Sequence, residues 1–315
     1  MNAAKFFTHP LGIIGASISA TLLWGSSYPF IKLSYERLGI GSGDTLEQIL
    51  FAGYRFTLAG LLILLYMLIR RERLNYQRGS GGMVTVIALL QTVLQYTFFY
   101  AGLSKSAGVV GAVIAGTISF FQIAIAHFLY KNDRINGAKG LGLIVGFIGL
   151  LVLGLSKHDG SSGLHFSVGE LLLMAATLFN ACGNLLSRKA SASYSISYIN
   201  GYQMLLGGIM LCVIAAWSTG LTPFHFDGIA LLMLLHLALV SALAFTLWNN
   251  VMKYNQVGSV SMYLFLIPVF GVLQSALFLN EPISGAVLGA LALVSSGIII
   301  VNRKKKQKVL TPTEA

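Results

Sequence analysis

Leu277–Gly297 reads LFLNEPISGAVLGALALVSSG and lies over an earlier stretch, Leu129–Gly149, LYKNDRINGAKGLGLIVGFIG, at one ungapped offset of 148 residues (277 against 129). Along it Leu129 meets Leu277, Asn132 meets Asn280, Ile135 meets Ile283, Gly137 and Ala138 meet Gly285 and Ala286, and Gly149 meets Gly297; an acid follows each Asn, Asp133 and then Glu281. The register extends backwards to Lys105 and Val109, which meet Lys253 and Val257, and to Gly53, Tyr54 and Gly60, which meet Gly201, Tyr202 and Gly208. Chance similarity does not keep one register for so long. The chain is two copies of a unit of about 150 residues, and every other feature is placed relative to that duplication.

Composition puts both copies in lipid. Hydrophobic residues are 56% and charged residues 10% of the 315, against about 25% charged in soluble proteins, and the mean hydropathy is +0.77. The net charge of +11 does not point to nucleic acid, because the basic residues lie between apolar runs and form no aromatic-interleaved basic surface. Cys182 and Cys212 both lie inside apolar runs, which argues against a disulfide framework or a cysteine metal site. His127 and His236 have no second ligand at metal spacing, so packing accounts for both, and no metal or cofactor is expected. Lys5 followed by an apolar run resembles a signal peptide, but the run from Leu11 to Phe30 exceeds a signal h-region and is needed as the first span.

Runs long enough to cross a core of about 30 Å at 1.5 Å per residue fall at roughly 11–32, 46–69, 83–103, 107–130, 138–155, 168–187, 197–218, 228–250, 257–279 and 283–301. The sequence therefore predicts an all-α membrane protein with ten spans, five per copy, and connections too short for a soluble domain. With the N-terminus inside, the inner side carries sixteen of the 21 Lys and Arg residues; the outer side carries Lys32, Arg37, Lys105 and Lys157, and Arg55 lies within a span. That asymmetry predicts cytoplasmic termini. It also leaves 302–315 as a basic cytoplasmic tail.

Five spans per copy is an odd number, so the second copy (168–301) must cross upside down relative to the first (11–155). Lys131, Arg134 and Lys139 fall on an inner loop, and their mates on an outer loop are Leu279, Pro282 and Val287. Inverted repeats of this kind occur in secondary transporters, with the solute site near the midplane between the halves. Gly142 and Gly146 in the fifth span, and Gly285 and Gly289 in the tenth, give small-xxx-small faces that suit packing within the chain or a homodimer. Asp133 and Glu281 are expected to cap the helices they precede.

Polar residues within apolar spans call for a reason. Thr177, Asn180, Asn184 and Ser187 share one face of the sixth span, and an offset of 156 (177 against 21) puts Thr21, Trp24 and Tyr28 in the same phase. The third span adds Gln91 and Gln95, the seventh Asn200 and Gln203, and the eighth ends in Trp248, Asn249 and Asn250. Two readings stand side by side. The residues line a central cavity that binds a small-molecule substrate, or they are interhelical hydrogen bonds, worth about 0.6 kcal/mol each in bilayers. Arg55, whose mate is Gln203, costs about 2.5–3.5 kcal/mol at a span centre unless paired or wet. A substrate carboxylate, carbonyls freed near Pro29, and snorkelling are its candidate explanations. Pro268 removes an amide donor and frees the carbonyl of Leu264, predicting a kink; Pro29 and Pro268 are the candidate gating positions.

LLWGSSYPFIK in the first span, Arg55 within GYRFTLAGLL, SRKAS after the sixth span, IPVFGVL in the ninth and NEPIS before the tenth together resemble the EamA-type family of the drug/metabolite transporter superfamily, over nearly the whole chain. The resemblance implies a multi-pass inner-membrane exporter or importer of amino acids, other metabolites or drugs, with the fifth and tenth spans set apart from a central cavity. One departure is Phe120 at the mate position of Pro268, where relatives often carry proline in both halves. The reading that follows is a secondary transporter of a small organic solute, exporting by alternating access, with substrate and membrane lipid as its partners. A proton-driven pump of the small four-helix kind would need a membrane-embedded acid in the first span, and a membrane enzyme would need clustered acids, a His pair or a Ser with its base. Neither pattern is present. No GxxxxGK[ST] occurs either, so an ATP-driven mechanism has no sequence support.

Overall fold

The computed structural model describes residues 3–103, 105, 114–156, 168–279 and 285–302. These form helices only: α1 (Ala3–Thr8), α2 (Pro10–Leu38), α3 (Thr45–Ile69), α4 (Ser80–Leu103), α5 (Ile118–Leu129), α6 (Gly137–Ser156), α7 (Val168–Ala190), α8 (Ile196–Thr219), α9 (Gly228–Tyr254), α10 (Val257–Leu279) and α11 (Gly285–Asn302). Six of them, α3, α4, α7, α8, α9 and α10, are long and apolar enough to cross a membrane. The other apolar stretches among the described residues, 114–129, 137–152 and 288–301, are shorter. Helix α2 has 29 residues, but its serines and the charged Lys32, Glu36 and Arg37 dilute its hydropathy. Leu65, Val213, Leu232 and Phe128 are among many large apolar side chains left exposed, which in a bundle of this composition marks a lipid-facing surface.

Packing follows a reciprocal pattern. Helix α3 packs along α8 and α6 along α11, while α2 touches α9 and α10 and α7 touches α4 and α5. Close approach in the first two pairs depends on small residues. A Cβ on Gly53 would lie 3.1 Å from the Gly208 carbonyl, and one on Gly60 2.8 Å from that of Gly201. Likewise one on Gly142 would lie 2.8 Å from the Gly297 carbonyl and one on Gly149 3.0 Å from that of Ala290. Each residue thus meets the sequence mate of its neighbour, the arrangement a two-fold axis between the halves requires. In the tenth span Ala290 and Gly297 form the contact within the chain, while a Cβ on Gly285 or Gly289 would meet nothing within 4 Å among the described residues.

Three departures from regular helix position the interior. Helix α4 contains a π segment at Leu89–Leu94, which presses Gln91 against Gly183 of α7 and Thr92 against Gly207 of α8. In α10 a 3-10 stretch, Ser261–Phe265, precedes the regular turn that holds Pro268. The missing donor of Pro268 falls where an early-turn residue needs none, so the bend is taken up just before it. In the other half Phe120 packs edge-on to Phe147 and Phe265, and Thr117 interrupts the helix just before it, its hydroxyl bonding the Ile114 carbonyl at 2.6 Å. Both mates therefore follow a local break, although only one is proline.

Helix ends are tied across the bundle. Asp227 N-caps α9 through Ala230 N at 2.8 Å and accepts from Arg37 near the end of α2, with Nε 2.7 Å from Oδ2. The Arg37 guanidinium holds the Asp227 carboxyl well below the usual range, at about 2. Asp133 does not cap the helix it precedes, as the sequence suggested; Asn136 does, bonding Lys139 N at 2.9 Å. The Asp133 carboxylate instead accepts from Lys139 Nζ at 2.5 Å and from Gly258 N in the first turn of α10 at 2.9 Å. Glu281 and Pro282 lie outside the described residues.

Candidate functional site: the central cavity

A cavity of about 760 Å³ lies among α2, α3, α4, α5, α7, α9 and α10, within the range of 300–1,000 Å³ usual for small-molecule sites. It reaches the end of the bundle that carries Lys32, Glu36, Ser42 and Gln48, while Trp24, Ser27, Arg55, Asn180 and Asn184 line its deeper part. The close approach of α2 and α10 sets one wall. A Cβ on Gly25 would fall 2.7 Å from Phe270 Cβ, and one on Gly271 2.9 Å from the Tyr28 ring. Only glycine at both places lets Tyr28 fill the gap between the helices.

The residues singled out in the sequence separate into two groups. Trp24, Tyr28, Arg55, Gln95, Asn180 and Asn184 line the cavity. Gln91, Gln203 and Trp248 are fully buried behind it. Gln91 Nε2 donates to Asn184 Oδ1, Ser187 Oγ donates to Gln91 Oε1 at 3.3 Å, and Asn184 Nδ2 donates to Asn180 Oδ1 at 2.9 Å. Gln203 Oε1 accepts from Thr92 Oγ1 at 2.9 Å. Trp248 backs Trp24, their ring centroids 6.0 Å apart, and Phe245 meets Trp24 edge-on at 5.1 Å. Asn200 and Asn249 bond each other at 2.7 Å between α8 and α9, which is the interhelical role. Pro29 and Pro268 are both buried and neither lines the cavity.

Arg55 is 2% exposed yet reaches the cavity wall. Its Nε donates to Ser241 Oγ at 2.8 Å and to the Leu237 carbonyl at 3.2 Å, and its Nη2 donates to Ser27 Oγ at 3.1 Å. The structural partners are thus on α9 and α2, and the carbonyls near Pro29 are not among them. The two histidines have local partners: His127 Nδ1 accepts from Ile135 N at 3.0 Å, and His236 lies against Phe30 with centroids 4.1 Å apart and its Nε2 3.4 Å from Ser26 Oγ. No group of three His, Cys, Asp or Glu residues suited to a metal occurs among the described residues.

Sequence reasoning missed the aromatic side of the cavity. Tyr35, Tyr96, Phe99 and Tyr100 line it together, with Tyr35 and Tyr100 centroids 6.5 Å apart and Phe56 supporting Tyr96 at 4.5 Å. The signal was present in QYTFFY after Gln91: Tyr96 and Tyr100 are one turn apart and share a face. Aromatic residues in an apolar span do not stand out as amides do.

A helical multi-pass bundle enclosing a mid-depth cavity, with polar side chains turned inward and apolar ones outward, has the architecture of a membrane transporter of small solutes. Residues 10–155 and 167–303 match the EamA-like transporter family, and the chain belongs to it. It is 26% identical over 292 residues to an uncharacterized transporter, YvbV, of Bacillus subtilis strain 168, covering 90% of each chain. It is 22% identical over 298 residues to a probable amino-acid metabolite efflux pump of Escherichia coli K12, covering 90% of this chain and 92% of that one. A third relative is an S-adenosylmethionine/S-adenosylhomocysteine transporter of Chlamydia trachomatis serovar L2, 25% identical over 239 residues and covering 74% of this chain and 68% of that one. A solved crystal structure shares the fold, with a TM-score of 0.73 at 20% identity over 91% of this chain and 95% of that one.

Proposed function

We propose that the chain is a secondary transporter that exports a small organic solute across the cell membrane by alternating access. It has ten spans in two inverted repeats, 11–155 and 168–301, and both termini are cytoplasmic. The observation that carries this reading is the cavity, which joins α2, α3, α4 and α5 of one half to α7, α9 and α10 of the other. Reciprocal glycine contacts between the halves support the inverted arrangement. Trp24, Tyr28, Arg55, Gln95, Asn180 and Asn184 contact the solute, while Gln91, Gln203 and Trp248 hold that wall from behind. Pro29 within α2 and the bend just before Pro268 in α10 serve as gates. The charge asymmetry puts the end bearing Lys32 and Glu36 outside, so the conformation is outward-facing. Export agrees with the efflux pumps among the relatives.

The test is counterflow in liposomes loaded with amino acids, nucleosides or aromatic acids. Saturable exchange of one class, persisting when the proton gradient is collapsed, is the expected result. Binding without translocation of any solute contradicts transport, and strict dependence on a pH gradient would favour a proton-driven pump.

A further inference from the structure

Among the described residues, the charge deep in the cavity has no counter-charge beside it. Three residues with formal charge line it: Lys32, Glu36 and Arg55. Counted at 1.5 Å per residue from Leu38, the end of α2, Lys32 and Glu36 lie about 9 Å and about 3 Å in, whereas Arg55 lies about 15 Å beyond Thr45, the start of α3. One cation and one anion near the mouth cancel, and the deep cation remains. Ser241, Leu237 and Ser27 offer Arg55 neutral oxygens, which orient a guanidinium without neutralising it. Ion pairs join Arg37 to Asp227 and Lys139 to Asp133. Neither involves Arg55. A cation held out of water without a counter-charge attracts an anion that fits the space.

A second donor lies at the same depth. Asn180 is about 18 Å from Val168, where α7 begins, by the same rise per residue. The relay from Ser187 through Gln91 and Asn184 occupies the Asn180 carbonyl oxygen, so the group Asn180 offers the cavity is its NH2. The π segment of α4 sets that polarity by pressing Gln91 against Gly183. Around the two donors stand Trp24, Tyr28, Tyr96 and Phe245, which suit a flat or apolar body.

We infer that the solute is an organic carboxylate with an apolar or aromatic body, its anion held by Arg55 with the Asn180 amide as second donor. This rests on the transport reading above and narrows it, since it excludes cationic drugs as preferred substrates.

The test uses the full-length protein in detergent micelles, with Trp24 in the cavity wall reporting binding through its fluorescence. Phenylacetate, phenylacetamide and phenethylammonium have nearly the same body and differ in charge. Phenylacetate should bind at least about tenfold more tightly than the other two, as a charge-assisted bond replaces a neutral one. Because Arg55→Gln removes three structural hydrogen bonds and can fail to fold, the decisive variant is Asn180→Asp. It keeps the oxygen that accepts from Asn184 and replaces the NH2 with a negative oxygen. Phenylacetate binding should fall by about tenfold or more while phenylacetamide binding changes by less than about threefold. Equal affinity for all three probes, no binding of phenylacetate, or full phenylacetate affinity in Asn180→Asp overturns the inference. If phenylacetate fails while another solute shows counterflow, only this inference falls; if nothing shows counterflow, the transport reading falls.

Discussion

Arg55 and Gln203 hold equivalent places in the two halves and do different things. Each lies on one helix of the glycine-packed α3–α8 pair, and each turns to the neighbour that a two-fold axis would assign it, Arg55 to Ser241 and Leu237 on α9 and Gln203 to Thr92 on α4. Arg55 also reaches the cavity, while Gln203 stays fully buried behind it. Duplication has supplied a nearly symmetric scaffold, and the site has become asymmetric by changing side chains within it. The first half brings the charged side chains and most of the aromatic rings, and the second brings Asn180 and Asn184.

The largest expected effect comes from breaking what the halves share. A Cβ on Gly60 would lie 2.5 Å from Leu205 N, and one on Gly208 2.3 Å from Thr57 N. Backbone atoms cannot retreat as a flexible side chain can. Gly60→Leu and Gly208→Leu should each abolish the monodisperse peak in detergent size exclusion, and the two should behave alike.

Next is the pair on which the halves differ. Arg55→Leu should remove counterflow, whereas Gln203→Leu leaves the buried Thr92 hydroxyl without its acceptor and should cost about 1–3 kcal/mol of stability. Thermal unfolding and transport per folded molecule separate these outcomes; a Gln203→Leu variant as inactive as Arg55→Leu would mean that Gln203, like Arg55, contributes directly to the site.

The stripe on α7 divides in the same way. Asn184 is 1% exposed and bonded on both sides, so Asn184→Leu should lower the melting temperature. Asn180 is half-buried at the cavity, and Asn180→Leu should slow counterflow by about tenfold with little change in stability.

A smaller effect is expected where α2 meets the cap of α9. The folded Asp227 carboxyl titrates at about 2 because of its bonds to Arg37, below the value of about 3.9 for a free Asp. Its folded-state pKa is depressed, so the stabilisation is complete above about pH 4 and disappears as pH falls through about 2. The melting temperatures of the parent and Asp227→Asn should differ slightly at neutral pH and converge over that interval; the pair is solvent-exposed, so added salt should shrink the difference too.

Most of the architecture was legible because lipid makes sequence explicit. The apolar runs anticipated the helices, but the offset of Gly53 and Gly60 to Gly201 and Gly208 marked only the repeat and did not tell that Gly53 meets Gly208 and Gly60 meets Gly201. The breaks were less legible. Pro268 announced its bend, but nothing in LLQTVL marks a π segment, which forms because Gly183 and Gly207 let α4 press close. Thr117 supplies a break where no proline stands. At the site, polarity told which side chains turn inward without telling how deep. Asn180 and Gln91 look alike in sequence, and only the packing of α4 against α7 puts one at the cavity and the other behind it. Asp133 was misplaced for a related reason, since its partner Gly258 belongs to a helix more than a hundred residues away.

The central claim is that the cavity is a solute path exposed to each side in turn. It is tested most directly with a cysteine at Thr177, on the cavity wall, in a protein whose Cys182 and Cys212 have been replaced. An impermeant thiol reagent should modify it from outside intact cells and, in inverted vesicles, from the cytoplasmic face. Saturating transported solute should slow both reactions. A cysteine there that reacts from neither side, or at a rate indifferent to solute, would contradict the account.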